Sequence, residues 1–117
     1  MTGITLYGLK NCDTCRKAIK TLEAAGQSVT FVDIRAEADL ETLLPAWLAA
    51  LDPSDLMNTR STTWRQLDEA DRARASADPK ATLLLHPTLI KRPVIEANGE
   101  IYVGWTKGVQ VALGLAA

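Results

Sequence analysis

Residues 4–34 constrain the fold more than any other stretch of the chain. Ile4-Thr5-Leu6-Tyr7 is a short β-prone run stopped by Gly8, and Leu9-Lys10-Asn11 is a polar loop. From about Asp13 to Ala25 the pattern is helical, with Ala18, Ile19 and Leu22 at helical spacing and Gly26 where a C-cap glycine belongs. Ser28 to Ile34 returns to β-branched residues and reads as a second strand. Strand, helix and strand in so short a span form a βαβ unit, which implies parallel pairing and a right-handed crossover.

The middle of the chain changes character. Leu40 to Leu51 reads as an amphipathic helix with Pro45 in its first turn, where proline is tolerated. Asp52-Pro53-Ser54-Asp55 restarts the chain, and Met57 to Thr63 reads as a polar loop. Asp68 to Ala75 and Lys80 to Leu85 read as two further helices. After His86-Pro87 the strand pattern returns: Pro93 to Glu96 and Glu100 to Val103 flank Ala97-Asn98-Gly99, an Asn-Gly hairpin signal. Gly108 to Leu115 closes as a short apolar helix. The expected fold class is α/β: βαβ, a helical block, then ββα, giving a mixed four-stranded sheet with the central helices, at about 39–86, as an insertion. No repeat, low-complexity tract or linker divides the chain, so residues 1–117 read as one domain.

At 117 residues the chain can bury a core without staples. Thirteen basic and fourteen acidic side chains leave a net charge of −1, so no global field recruits nucleic acid or an anionic membrane. The N-terminal residues lack a basic segment followed by a long apolar run, and no apolar run approaches the ~20 residues of a membrane helix. A soluble, cytoplasmic protein is expected. In a reducing cytosol two cysteines make a poor structural staple, and a close pair is more often catalytic, redox-sensing or metal-binding.

Asn11-Cys12-Asp13-Thr14-Cys15-Arg16 places the two cysteines at C-x-x-C spacing where the first strand meets the first helix. Cys12 falls near the helix N-cap, facing unpaired backbone N–H groups and the positive end of the macrodipole. Both favour the thiolate, the nucleophilic form. Lys10 and Arg16 can add positive potential; Asp13 opposes them. Thr14 either donates its hydroxyl to the thiolate or caps locally. Cys15, one turn on, lies on the same face, with Cα atoms roughly 5 to 5.5 Å apart, within disulfide range. An attacking Cys12 would form a mixed disulfide that Cys15 could resolve. A structural zinc site needs about four ligands, and beyond the cysteines only His86 is at hand, so no metal is expected. Trp47, Trp64 and Trp105 read as packing, and His86 as a helix-end residue.

With Cys12 on that loop, the chain resembles the arsenate reductase (ArsC-like) family, which includes glutaredoxin-linked arsenate reductases, the Spx regulators and YffB-type proteins. The resemblance covers essentially the whole chain. Its markers are Tyr7-Gly8-Leu9-Lys10-Asn11-Cys12-Asp13-Thr14-Cys15-Arg16, Leu56-Met57-Asn58-Thr59-Arg60, and Pro87 to Ile95 with Lys91-Arg92-Pro93 at its centre. The YffB-type branch is the most similar. The resemblance implies a thioredoxin-like fold with a helical insertion. It also implies that Arg60 and Arg92 converge on the cysteine loop, where guanidinium groups suit an oxyanion or carboxylate. By the same analogy Arg92-Pro93 is a cis peptide beside the redox cysteine. Asn11, Thr14, Arg16 and Pro93 then frame a site for glutathione or another thiol substrate.

The departures narrow the function. Arsenate reductases of this family carry histidine where Gly8 stands, serine where Cys15 stands, and a third arginine where this chain reads Gly104-Trp105-Thr106-Lys107. A glutathione-dependent thiol reductase fits better, with glutathione as co-substrate, no tightly bound cofactor, and glutaredoxin as a possible partner. The alternatives are arsenate reduction, or a Spx-like redox switch that binds RNA polymerase.

Overall fold

The protein is described here by a computed structural model covering residues 3–115. β1 (Gly3–Gly8), α1 (Asp13–Ala24) and β2 (Ser28–Asp33) form the N-terminal βαβ unit. Next come α2 (Leu40–Ala50), α3 (Pro53–Leu56), α4 (Thr62–Gln66), α5 (Glu69–Ala77) and α6 (Pro79–Leu85), then a 3₁₀ turn at Pro87–Leu89. β3 (Val94–Ala97), β4 (Glu100–Val103) and α7 (Lys107–Ala112) complete the order. The chain divides into two compact units: one runs through Ala38 and resumes at Arg92, the other is Asp39–Lys91.

The first unit holds the sheet, in the order β2-β1-β3-β4. β1 runs parallel to β2, with Leu6 opposite Phe31, and antiparallel to β3, with Leu6 opposite Ile95. β3 and β4 pair antiparallel. Leu6, Tyr7 and Gly8 are all buried, as expected of an inner strand covered on both faces. The β3–β4 hairpin turns on Asn98 and Gly99, whose φ values of 54° and 76° are the paired positive angles of a type I′ turn. α1 lays Cys15, Ala18 and Leu22 against Ile4, Leu6, Ile95, Ala97 and Leu113. The spacing is three and then four residues, one helical stripe. Cys15 therefore belongs to the stripe that fixes helix to sheet.

The second unit is all helical apart from one bridge, Met57 to Ile90. Each of its later helices is started by a side-chain oxygen: Asp52 accepts from the Ser54 N–H (2.9 Å), Ser61 from Trp64 (3.1 Å), Asp68 from Asp71 (2.8 Å) and Asp78 from Ala81 (3.1 Å). Leu40, Leu44 and Trp47 on α2 and Leu83 on α6 are buried. The unit closes on itself through Asn58 N–H to Leu89 O and Lys91 N–H to Leu56 O, both 2.7 Å.

Three expectations need correction. Pro45 lies inside α2, well past its first turn. Lacking an N–H, it leaves the Glu41 carbonyl without its helical donor, and both residues lie on the exposed side, where that carbonyl is open to solvent. The stretch read as restart and polar loop contains α3 and the start of α4, whose caps Asp52 and Ser61 were the available signal. The last helix begins at Lys107, with the Thr106 hydroxyl accepting from Val109 N–H (3.1 Å), and ends at Ala112.

Candidate active site

Cys12 is the N-cap residue of α1, with an extended backbone (φ −91°, ψ 115°). Its N–H donates to Leu9 O (3.1 Å) and its carbonyl accepts from Arg16 N–H (3.0 Å), the first turn of the helix. The sulfur is thereby held at the positive end of a twelve-residue helix. Both cysteines are free thiols; Cys12 is partly exposed and Cys15 is buried.

The two thiols sit in opposed electrostatic environments. Burial works against ionising Cys12, but the Cys15 N–H, the Cys15 thiol and the Arg92 guanidinium together outweigh it and hold Cys12 below the ordinary thiol range. Once charged, the Cys12 sulfur becomes the stronger acceptor for these donors. Cys15 moves the other way, pushed up to about 12 by burial, with the Cys12 sulfur adding to the rise and the Leu9 N–H and Arg92 opposing it. At neutral pH this is a dithiol with one acidic sulfur and one proton-holding sulfur.

The structure therefore brings together Cys12, Cys15 and Arg92. The Arg92-Pro93 peptide is cis, as the resemblance implies, and Pro93 is buried with its carbonyl accepting from Gly104 N–H (2.8 Å). Asn11 and Thr14 are exposed on the loop and first helical turn. Arg16 points its guanidinium at Asp13 (2.6 Å), an exposed pair, so part of its charge is spent on its own helix end. Arg60 belongs to the second unit, exposed between α3 and α4, its N–H donating to Asn58 Oδ1 (3.1 Å) and its carbonyl accepting from Arg65 (3.1 Å).

A groove beside the cysteine loop went unread in the sequence. Leu9, Lys10, Asn11, Asp33, Arg35 and Ala36 line about 450 Å³ of space. The available signal was topological: loops leaving two parallel strands emerge at the same end, so the loop after β2 must flank the loop after β1. The residues set aside as packing behave as such. Trp47 is fully buried, Trp64 lies under the Arg72 guanidinium (5.7 Å to the ring centre), and Trp105 packs against the first unit's core. His86 ends α6, its N–H donating to Thr82 O (2.9 Å).

The ArsC family model matches residues 7–109, which include the cysteine loop, Arg60 and Arg92. The chain belongs to the ArsC family. Among its relatives, an uncharacterized protein of Haemophilus influenzae is 40% identical over 108 residues, 89% of this chain and 92% of that one. Among solved structures, the YFFB protein superposes with a TM-score of 0.79 at 35% identity, covering 94% of this chain and 97% of its own. An arsenate reductase (ArsC) related protein of Brucella melitensis gives 0.75, also at 35% identity, covering 94% and 92%. The ArsC architecture, a mixed four-stranded sheet with helices, is thioredoxin-like, and the helical second unit interrupts it between β2 and β3.

Proposed function

We propose that the protein is a glutathione-dependent thiol–disulfide reductase whose nucleophile is Cys12. The observation that carries this is the pairing of an acidified, partly exposed Cys12 with a buried, proton-holding Cys15, Arg92 standing beside both. In the first step the Cys12 thiolate attacks one sulfur of a disulfide, forming a mixed disulfide and releasing the other sulfur as a thiolate. In the second, Cys15 gives up its proton and attacks Cys12 Sγ, or a glutathione thiolate attacks the mixed disulfide; either way the substrate thiol leaves reduced. Two electrons pass to the substrate: in the first route two glutathiones then reduce the Cys12–Cys15 disulfide, and in the second, where glutathione attacks Cys12 Sγ, one more glutathione frees Cys12, glutathione disulfide leaving in both. Arg92 orients an anionic part of the substrate and keeps Cys12 charged. The groove with Lys10 and Arg35 on its walls suits the carboxylates of a tripeptide.

The test is steady-state reduction of a glutathione mixed disulfide coupled to glutathione reductase, with arsenate in a parallel assay. Wild type should turn over, Cys12→Ser should fall to background, and Cys15→Ser should keep activity where glutathione resolves the intermediate. Arg60→Ala tests the role the resemblance gives Arg60, with a raised KM expected. Undiminished turnover in Cys12→Ser ends the proposal. Arsenate is the second substrate class because a guanidinium beside a thiolate also suits an oxyanion, and the Brucella relative is an arsenate reductase (ArsC) related protein. Absence of turnover on both substrates would move the weight to a redox-switched partner of RNA polymerase.

A further inference from the structure

We propose that Gly8 is a positioning residue for the thiol pair, a role that rests on the dithiol reading above: by carrying no side chain it leaves, beside β1, the space in which the Cys15 sulfur stands next to the Cys12 sulfur. Gly8 ends β1 and is buried, and its φ lies outside the left-handed region, so no backbone angle calls for glycine there. Space does. A Cβ at Gly8 would overlap Cys15 Sγ, come within 3.2 Å of Cys15 Cβ and lie 3.6 Å from Leu6 Cδ2. The other six glycines meet nothing closer than 3.8 Å.

Neither backbone can give way cheaply. Gly8 is held in the sheet, opposite Asp33 in the β1–β2 register and with its carbonyl accepting from Ile34 N–H (2.9 Å). Cys15 is locked in the stripe that packs α1 on the sheet. The remaining freedom is rotation about Cys15 χ1, and a helical residue has essentially two rotamers to choose from. Turning the sulfur away from position 8 takes it from the Leu9 N–H and the Cys12 sulfur that it now hydrogen-bonds. A side chain at position 8 thus displaces the resolving sulfur of Cys15, which makes residue 8 a determinant of how readily the second sulfur can act.

The experiment uses the full chain, oxidised glutathione as probe, and acid-quenched mass spectrometry. Cys12 thiolate displaces one glutathione thiolate and takes up the other half as an adduct; Cys15 then attacks Cys12 Sγ and the second glutathione leaves, so two protein thiols are oxidised and one glutathione disulfide is reduced to two thiols. In Gly8→Ala the adduct should form at the wild-type rate in alkali, where Cys12 is fully ionised. Closure of the Cys12–Cys15 disulfide should slow by about tenfold to a hundredfold, the upper figure being what a misplacement of about 1 Å can cost. The thermal penalty of Gly8→Ala should shrink in a Cys15→Ala background, where no sulfur remains to collide. Equal closure rates, or an equal penalty in both backgrounds, would overturn the proposal. Should Gly8→Ala fail to fold, Gly8→Ala/Cys15→Ala must fold; its failure would show that glycine serves something other than the sulfur. A wild type that closes no disulfide also overturns it, whereas a lack of catalytic turnover does not, because closure is measured without any enzymatic substrate.

Discussion

Cys12 and Cys15 are separated by one helical turn, yet their surroundings move the two thiols in opposite directions from the ordinary value. The difference is one of location: Cys12 stands at the mouth of the helix with Arg92 beside it, and Cys15 stands one turn inward in the core. Iodoacetamide should therefore label Cys12 at a rate that persists as the pH falls below 9.0, the ordinary thiol value, and Cys15 should resist labelling until the pH nears 12. Peptide mapping across a pH series measures both. Equal labelling with a shared midpoint would contradict the assignment. Arg92→Gln should slow Cys12 alkylation at neutral pH by on the order of tenfold, with Arg92→Lys recovering part of the loss, because an adjacent cation favours the charged sulfur. The cysteine spacing and its place at a strand-to-helix junction were legible in the sequence. The part played by Gly8 was not, because a vacant position has no side chain to notice.

At the level of elements, periodicity announced α1, β1, β2 and the β3–β4 hairpin, each long enough or bounded clearly enough to show its pattern. α3 and α4 are four and five residues long, too short for any repeat to register, and only their caps betray them. Pro45 misled for a related reason: proline is so much better tolerated in a first turn that its presence argues for a start, whereas α2 begins at Leu40 because Leu40, Leu44 and Trp47 require one buried face. That compromise is measurable. Pro45→Ala should stabilise the second unit by about 1–3 kcal/mol, the range set by an interior helical proline less its restraint on the unfolded chain. Urea unfolding followed by tryptophan fluorescence in a Trp64→Phe/Trp105→Phe background, which leaves Trp47 as the reporter, would measure it, and an unchanged midpoint would mean that the carbonyl of Glu41 is satisfied at no loss.

For the whole molecule, two buried protons set an alkaline limit. Tyr7, inside the sheet, is raised from 10.0 to about 12 by burial and by donating to Glu96 Oε1 (2.9 Å), whose charge adds to the effect. Cys15 is raised to about 12 for the reasons given above. Above the unfolded values and below 12 the native state holds more protons than the unfolded one, so stability must fall as pH rises. Cys12 adds no slope there, since its lowered value makes its contribution complete by the time the unfolded thiol has ionised. The unfolding midpoint should therefore drop steadily between pH 9 and 12, and less so in Tyr7→Phe; a flat profile would refute it. The sheet order carries a separate consequence for how the chain is made. Among the described strands β1 is made before the others, but one of its two neighbours, β3, arrives only after the helical second unit, and Arg92 arrives with it. A ribosome that has reached Ala38 has delivered both sulfurs and the helix that presents them, without the cation that sharpens Cys12. The cation that sharpens Cys12 is thus supplied only once Arg92 has been made, and a product truncated before Arg92 would carry the whole cysteine motif without that charge.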